Sequence, residues 1–251
     1  PLTAKRITIN KRALVIGGGI AGMTAALSLA DQGFEAVLVE KEAHLGGLAR
    51  DLTHTIEGAH IPEHLLDLVD RVTHHEKIQV LTESLIVGFS GFKGNFTTEV
   101  MVGPGMYERK IDHGVVLVAT GATEYQPKEF LYGQDSRVLT QIELGKRLEE
   151  KGAEDLKHVV MIQCVGSRNE DFPNCSRICC QNAVKNALAL KKLNPDAEVY
   201  VLYRDIRTYG ELEYFYRQAR RQGVHFFRFN REDPPQGSSQ DQGVSVTFKD
   251  Q

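Results

Sequence analysis

The chain has 251 residues, of which 41% are hydrophobic and 25% charged, with a formal net charge of −3. That length and composition fit one large or two ordinary globular domains with cores of their own. The charge balance gives no electrostatic ground for nucleic acid or an anionic membrane as partner. No apolar run approaches 18 residues and no signal-peptide pattern opens the chain, so a cytoplasmic protein without a membrane span is expected.

In chain order, Arg12–Ile16 (RALVI) has the character of a short buried strand and runs directly into Gly17-Gly18-Gly19-Ile20-Ala21-Gly22. A helical pattern follows, MTAALSLADQG, and then a second apolar strand, Val37–Glu40, which ends in an acid 18 residues beyond Gly22. Strand, Gly-x-Gly-x-x-Gly, helix, strand and acid within about 30 residues make the dinucleotide-binding fingerprint. Each glycine has its own mechanical reason. Gly17 permits the tight turn, Gly19 lets a pyrophosphate approach the backbone, and Gly22 allows the helix to pack closely on the strand. The helix N-terminus offers unpaired N–H groups and the positive end of its dipole to the phosphates. Glu40 is placed to accept hydrogen bonds from the ribose hydroxyls. The plain alternative, a glycine-rich turn that binds nothing, leaves the acid and the paired strands unexplained.

Lys41 follows the acid, and Gly46-Gly47 comes shortly after. A Gly-Gly pair at that spacing resembles the flavoproteins with two dinucleotide-binding domains (glutathione and thioredoxin reductase-like), in which it lies along the flavin side of FAD. His44 reads as a loop residue. Ile61–His75 is a predicted helix with Pro62 in its first turn. The pattern then changes to period two over Lys77–Thr82, Leu85–Phe89, Phe96–Val102 and Met106–Ile111, a strand and a three-stranded meander. Gly114–Ala122 is an apolar strand that runs into Ala119-Thr120-Gly121. In the same flavoproteins such a strand closes the FAD half and brings backbone close to the cofactor. The resemblance also places Ile20, Ala21 and Lys41 beside the cofactor and Ile86, at the start of the meander, near its adenine.

Glu124–Arg137 is a polar connector, and Thr140–Lys151 a helix with Thr140 and Glu143 spaced as a capping box. His158–Gln163, Gln181–Leu193 and Glu198–Tyr203 form a second strand–helix–strand unit. In the resembling reductases this unit binds NAD(P)H through a second glycine fingerprint. Here Cys164-Val165-Gly166-Ser167 stands in its place, and all four cysteines of the chain (Cys164, Cys175, Cys179 and Cys180) fall within this one window. Cys164 comes from the strand end. Cys175 and Cys179 share a face if the helix has begun by then, whereas Cys179 and Cys180 diverge by about 100° on a helix. Thiols near a helix N-terminus have lowered pKa values and bind metals as thiolates. An iron–sulfur cluster beside a flavin suits cysteine-only ligation. Structural zinc would need only these four ligands, but the Cys-x2-Cys knuckles are missing. A redox dithiol or inert thiols stay open, although an adjacent Cys179–Cys180 disulfide would be strained. Arg168 and Arg177 either offset thiolate charge or are ordinary surface charges.

Tyr209–Gln222 is a predicted helix with Leu212, Phe215 and Tyr216 as its buried stripe and Arg217, Arg220 and Arg221 on a solvated face. Pro234–Gly243 reads as a turn or flexible loop, and Val244–Lys249 as a last strand.

From about Lys11 to Asp233, GGGIAGMTAALSLADQGFEAVLVEKEAHLGG followed downstream by VVMIQCVGSRNEDFPNCSRICC resembles the flavin-bearing subunit of heterodisulfide reductase and its relatives in sulfate reducers. The resemblance implies an α/β fold of two Rossmann-like units, of the FAD/NAD(P)-binding three-layer ββα type, arranged as in thioredoxin reductase. It divides the chain into an FAD-binding domain with its meander over 1–123, a connector and helix over 124–156, and a second Rossmann-like domain over 157–251. It further implies FAD, and a [4Fe-4S] cluster on Cys164, Cys175, Cys179 and Cys180. The activity implied is electron relay, or bifurcation at the flavin. The partners are the other subunits of such a complex, with ferredoxin or a hydrogenase or dehydrogenase subunit. No side chain is required as a general acid or base. Whole subunits of this family carry further cysteine-rich regions and a closing segment, so the chain is expected to be a piece of a longer subunit. Two other readings are carried forward: a self-contained NAD(P)H-dependent flavin disulfide reductase, and a flavin-free interaction fragment.

Overall fold

The computed structural model describes residues 7–251. Two compact units account for them, one built from residues up to Asp51 and from His60–Thr123, the other from Leu52–Ala59 and Glu124–Gln251.

The first unit runs β1 (Ala13–Ile16), α1 (Ile20–Asp31), β2 (Ala36–Val39), α2 (Ile61–Thr73), β3 (Ile78–Leu81), then the meander β4 (Ser84–Phe92), β5 (Asn95–Val102) and β6 (Tyr107–His113), and finally β7 (Val115–Val118). Four of these strands form a parallel sheet in the order β3-β2-β1-β7. The central strands are apolar at every position because both faces are covered. Val15 and Leu38 face the helices and pack with Met23, Ala26, Leu68 and Val72. Leu14, Val37 and Val39 face the other way and pack with Val100 and Ile111 of the meander. Helices, parallel sheet and antiparallel sheet therefore make three layers. Fully buried His113 ends β6, its Nε2 2.8 Å from the Thr98 hydroxyl and its Nδ1 3.2 Å from the Val115 carbonyl. A carbonyl only accepts, so Nδ1 carries the proton and Nε2 accepts from Thr98.

The second unit contains α3 (Gln141–Lys151), β8 (His158–Ile162), α4 (Cys179–Leu193), β9 (Glu198–Tyr203), α5 (Glu213–Arg221), β10 (His225–Arg228), β11 (Gln236–Gln240) and β12 (Gly243–Thr247). Its parallel sheet has the order β10-β9-β8, with β11 and β12 paired separately as a hairpin. The core joins Met161, Val199 and Val201 of the sheet to Val184, Ala187 and Leu190 of α4 and to Leu144 and Leu148 of α3. Phe215 and Tyr216 pack at its margin, as the stripe on α5 predicts.

The structure corrects several expectations. The helix expected over Tyr209–Gln222 is divided into a 3-10 turn, Gly210–Leu212, and the shorter α5. The loop expected over Pro234–Gly243 contains β11, whose polar residues carry no apolar alternation but pair with β12. Strand β10 was not foreseen, and it exists by pairing with β9. The helix α4 begins at Cys179, two residues before the expected Gln181, so Cys175 stays in the loop and shares no helical face with Cys179. Leu52–Ala59, expected with the first domain, belongs to the second unit, where Ile56 packs on the core and the His54 carbonyl accepts from Lys185 Nζ at 3.2 Å. The connector after Thr123 also folds as part of this unit. Among the described residues no helix is long and apolar enough to cross a membrane.

Candidate functional site

The loops that carry the dinucleotide fingerprint leave the first sheet at one edge. Ile16 is aligned with Val39 on one side and Val118 on the other, so the chain exits β1, β2 and β7 at the same level. Because β2 and β3 lie to one side of β1 and β7 to the other, this edge is the switch point where α/β sheets bind ligands. Gly17, at φ +109°, lies so close to Ala119 that a Cβ would overlap the Ala119 carbonyl. A Cβ on Gly22 would likewise overlap the Gly17 carbonyl. The Ala119 N–H donates to the Ile16 carbonyl at 2.8 Å, and the Gly46 N–H to the Gly18 carbonyl at 2.8 Å. These contacts bring Gly17–Gly22, Gly46–Gly47 and Ala119–Gly121 together.

Gly19 differs from its neighbours. A Cβ placed there would have no atom within 4 Å, and Gly19 caps α1 without any side-chain bond. Ile20 and Ala21 are exposed on the first turn, where backbone N–H groups have no intrahelical acceptor. Open space above a glycine, faced by unpaired N–H groups, is a cradle that fits a pyrophosphate. Glu40 is buried, at 6% exposure, and accepts from the Gly18 N–H at 2.6 Å and the Glu42 N–H at 2.8 Å. Its carboxylate thus ties the glycine loop to the end of β2, a bracing role that the ribose assignment did not anticipate. Lys41 is exposed beside Glu42, 3.4 Å away, and Ile86 lies on β4 next to a register shift between Ile86 and Gly88.

In the second unit the loop from β8 to α4 has an uncommon backbone. Cys164, Arg168 and Arg177 all take positive φ, at 65°, 58° and 66°. Non-glycine residues seldom hold that conformation outside sites where surrounding structure imposes it. Tyr125 packs so closely on Gly166 that its ring fills the place of a side chain there. Cys179 and Cys180 occupy the first positions of α4, whose N-cap, Ile178, supplies no side-chain bond. The Cys180 thiol donates to Cys179, the Ser176 hydroxyl adds a bond, and the backbone N–H groups of Cys164 and Cys180 point at the same sulfur. Together they hold Cys179 down to about 5, against the opposing effect of burial. Cys180 is pushed up as the proton donor of that pair. Burial, then the neighbouring Cys179, raises Cys164. Cys164, Cys179 and Cys180 are thus brought together, while the Cys175 sulfur accepts from the Arg177 N–H at 3.3 Å. Among the described residues no three of these thiols have all their sulfurs within 4.8 Å of one another. Tetrahedral zinc at about 2.3 Å from each ligand needs sulfurs roughly 3.8 Å apart. An iron–sulfur cluster presents a separate iron to each thiolate and does not require its ligand sulfurs to lie that close.

Four residues were invisible to sequence reasoning. Gln163, immediately before Cys164, is 3% exposed, and neither its amide nitrogen nor its oxygen has a partner; the Thr208 hydroxyl is in the same condition. Buried polar atoms without partners mark places where a bound group or water completes the bonding. Asp205 follows β9, and its carbonyl oxygen lies 3.7 Å from the Cys180 sulfur. Arg204 donates to the Arg168 carbonyl at 2.9 Å. No local motif points to any of them: Gln163 reads as the end of a strand, and Arg204, Asp205 and Thr208 come near the cysteine loop only through the pairing of β8 with β9.

Compared with known families, residues 11–162 match the pyridine nucleotide-disulphide oxidoreductase family. One subunit of the H(2):CoB-CoM heterodisulfide,ferredoxin reductase of Methanothermobacter marburgensis is 30% identical over 322 residues, covering 91% of this chain and 49% of that protein. The iron-sulfur subunit of the CoB--CoM heterodisulfide reductase of Methanocaldococcus jannaschii is 30% identical, with 89% and 48% covered. The chain spans about half the length of the curated relatives it matches. Among solved structures, the NAD-dependent persulfide reductase from A. fulgidus is similar at a TM-score of 0.54 and 20% identity, with 96% of this chain and 43% of that one covered. T. acidophilum thioredoxin reductase is similar at 0.54 and 13%, with 96% and 71% covered. At these identities the structures establish the Rossmann-like, thioredoxin reductase-like fold.

Proposed function

Because the chain belongs to the pyridine nucleotide-disulphide oxidoreductase family of flavin oxidoreductases, we propose that it is the FAD and [4Fe-4S] electron-transfer module of a heterodisulfide reductase-like complex. The observation that carries this reading is the exchange of ligand chemistry between two similar units. The first keeps a glycine cradle, and the second puts thiols where a second cradle would stand. In the first unit the N–H groups at the start of α1 would hold the FAD pyrophosphate over Gly19. Glu40 braces the loop and is assigned to the ribose hydroxyls, while Gly46, Gly47, Ala119, Thr120 and Gly121 keep backbone close along the cofactor. Ile20, Ala21, Lys41 and Ile86 are assigned to its periphery. In the second unit Cys164, Cys175, Cys179 and Cys180 are assigned as thiolate ligands of the cluster. Bound FAD supplies exchange of electrons in pairs or singly, and a [4Fe-4S] cluster supplies single-electron transfer. The residues themselves bind, orient and set potentials; no proton transfer by a side chain is required.

The reading extends to partners by the same resemblance. They are the other subunits of such a complex and a ferredoxin or a hydrogenase or dehydrogenase subunit that delivers or takes electrons.

Anaerobic reconstitution with FAD, iron and sulfide tests the assignment. The expected product shows flavin bands over a broad cluster absorption, with about four irons per chain. Iron near zero after reconstitution, or four cysteines that alkylate freely in the reconstituted protein, would overturn the cluster.

A further inference from the structure

A network of ionic and hydrogen bonds behind the cysteine loop joins segments far apart in sequence. Arg168 donates from one guanidinium nitrogen to Cys164 Sγ at 3.9 Å, and from another to Asp205 Oδ2 at 2.7 Å. Its side chain is only 18% exposed. Asp205 also lies beside the site through its backbone, with its carbonyl oxygen 3.7 Å from the Cys180 sulfur. Arg204 holds the Arg168 carbonyl at 2.9 Å, Arg228 holds the Arg204 carbonyl at 3.1 Å, and Arg228 reaches Asp205 Oδ1 at 3.7 Å. Arg168 is therefore fixed at its head and at its backbone, in a φ of +58° that free chains seldom adopt. By contrast, Arg177 offers Cys175 a backbone N–H.

We infer that Arg168 and Asp205 are positioning residues of the thiolate site, Asp205 holding the Arg168 guanidinium against Cys164 so that a cluster bound there has a raised reduction potential. The inference rests on the cluster reading proposed above and adds residues outside the ligand set. Reduction adds negative charge to a cluster already surrounded by thiolates. A positive donor at a ligand sulfur stabilises that state more than the oxidised one. The sign of Asp205's effect separates two roles. If Asp205 acts only as a nearby negative charge, removing the charge raises the potential. If it acts by holding Arg168 in place, removing the charge lowers it.

The test compares wild type, Arg168→Gln, Arg168→Lys, Asp205→Asn and the double variant Arg168→Gln/Asp205→Asn. All are reconstituted anaerobically and followed by potentiometry with electron paramagnetic resonance. Arg168→Gln is expected to shift the oxidised-to-reduced ratio at the wild-type midpoint at least about tenfold, equal to 59 mV more negative for one electron. Arg168→Lys should recover part of that shift. Asp205→Asn should also move the midpoint negative, and the double variant should go no further than Arg168→Gln. Should Arg168→Gln fail to fold, the near-isosteric Asp205→Asn and the charge-keeping Arg168→Lys still decide the sign. An Asp205→Asn midpoint that is unchanged or more positive, when wild type and variant both carry their irons, sinks this inference alone. A wild type that takes up no iron sinks the cluster reading and the inference with it.

Discussion

Gly19 and Gly22 belong to one motif, yet a methyl group would meet opposite surroundings at the two positions. At Gly22 it would collide with the Gly17 carbonyl, whereas at Gly19 it would enter open space. Gly22→Ala is therefore expected to destabilise the first unit by on the order of 3 kcal/mol through forced displacement of backbone. Gly19→Ala should leave the unfolding midpoint within about 0.5 kcal/mol of wild type. The same substitution should weaken FAD binding about tenfold or more, roughly 1.4 kcal/mol, because the methyl stands where the pyrophosphate would lie. Denaturant melts and flavin titration of the two variants check the contrast; equal FAD affinity for Gly19→Ala and wild type would remove the cradle assignment. At this scale much was legible, since turn, close approach and helix packing are local demands on one hexapeptide. The bracing role of Glu40 was not, because it depends on where the end of β2 meets the glycine loop.

Among the elements, α3 shows how completely a local signal can be realised. The Thr140 hydroxyl accepts from the Glu143 N–H at 3.2 Å, and Glu143 accepts from the Thr140 N–H at 2.7 Å, which closes the capping box read from spacing. The Thr140 hydroxyl also donates to Glu124 at 2.9 Å, tying the connector to the helix. Thr140→Ala should cost the second unit about 1–2 kcal/mol, seen as an earlier denaturant midpoint with an unchanged slope. A loss below a few tenths of that range would show that the cap is redundant. The elements that escaped prediction share a cause. The strand β10 is four residues long and β11 is polar throughout, and each is defined by a partner strand and not by its own periodicity. The early start of α4 shows in its backbone, where the Asn182 N–H donates to the Ile178 carbonyl at 3.0 Å and so brings Cys179 into the first turn.

For the molecule as a whole, two units of related topology differ at the loop that follows the first strand of each. After β1 the chain keeps open space over Gly19, and after β8 the Tyr125 ring closes the space over Gly166. Flavin-loaded chain mixed anaerobically with NADH or NADPH is accordingly expected to keep its oxidised flavin bands, while dithionite bleaches them. Rapid bleaching by either nucleotide would favour a self-contained disulfide reductase. The strands around the glycine loop, the loop itself, the meander and the grouping of all four cysteines were legible in the sequence alone. Those features rest on hydrogen bonds and packing between residues near in the chain, or on apolar runs long enough to declare themselves. Only the tertiary structure set Asp205 against Arg168, left the Gln163 side-chain amide without a partner and made Glu40 the brace of its own loop. Each of these depends on which strand ends lie side by side, and that is decided by the collective burial of the sheets.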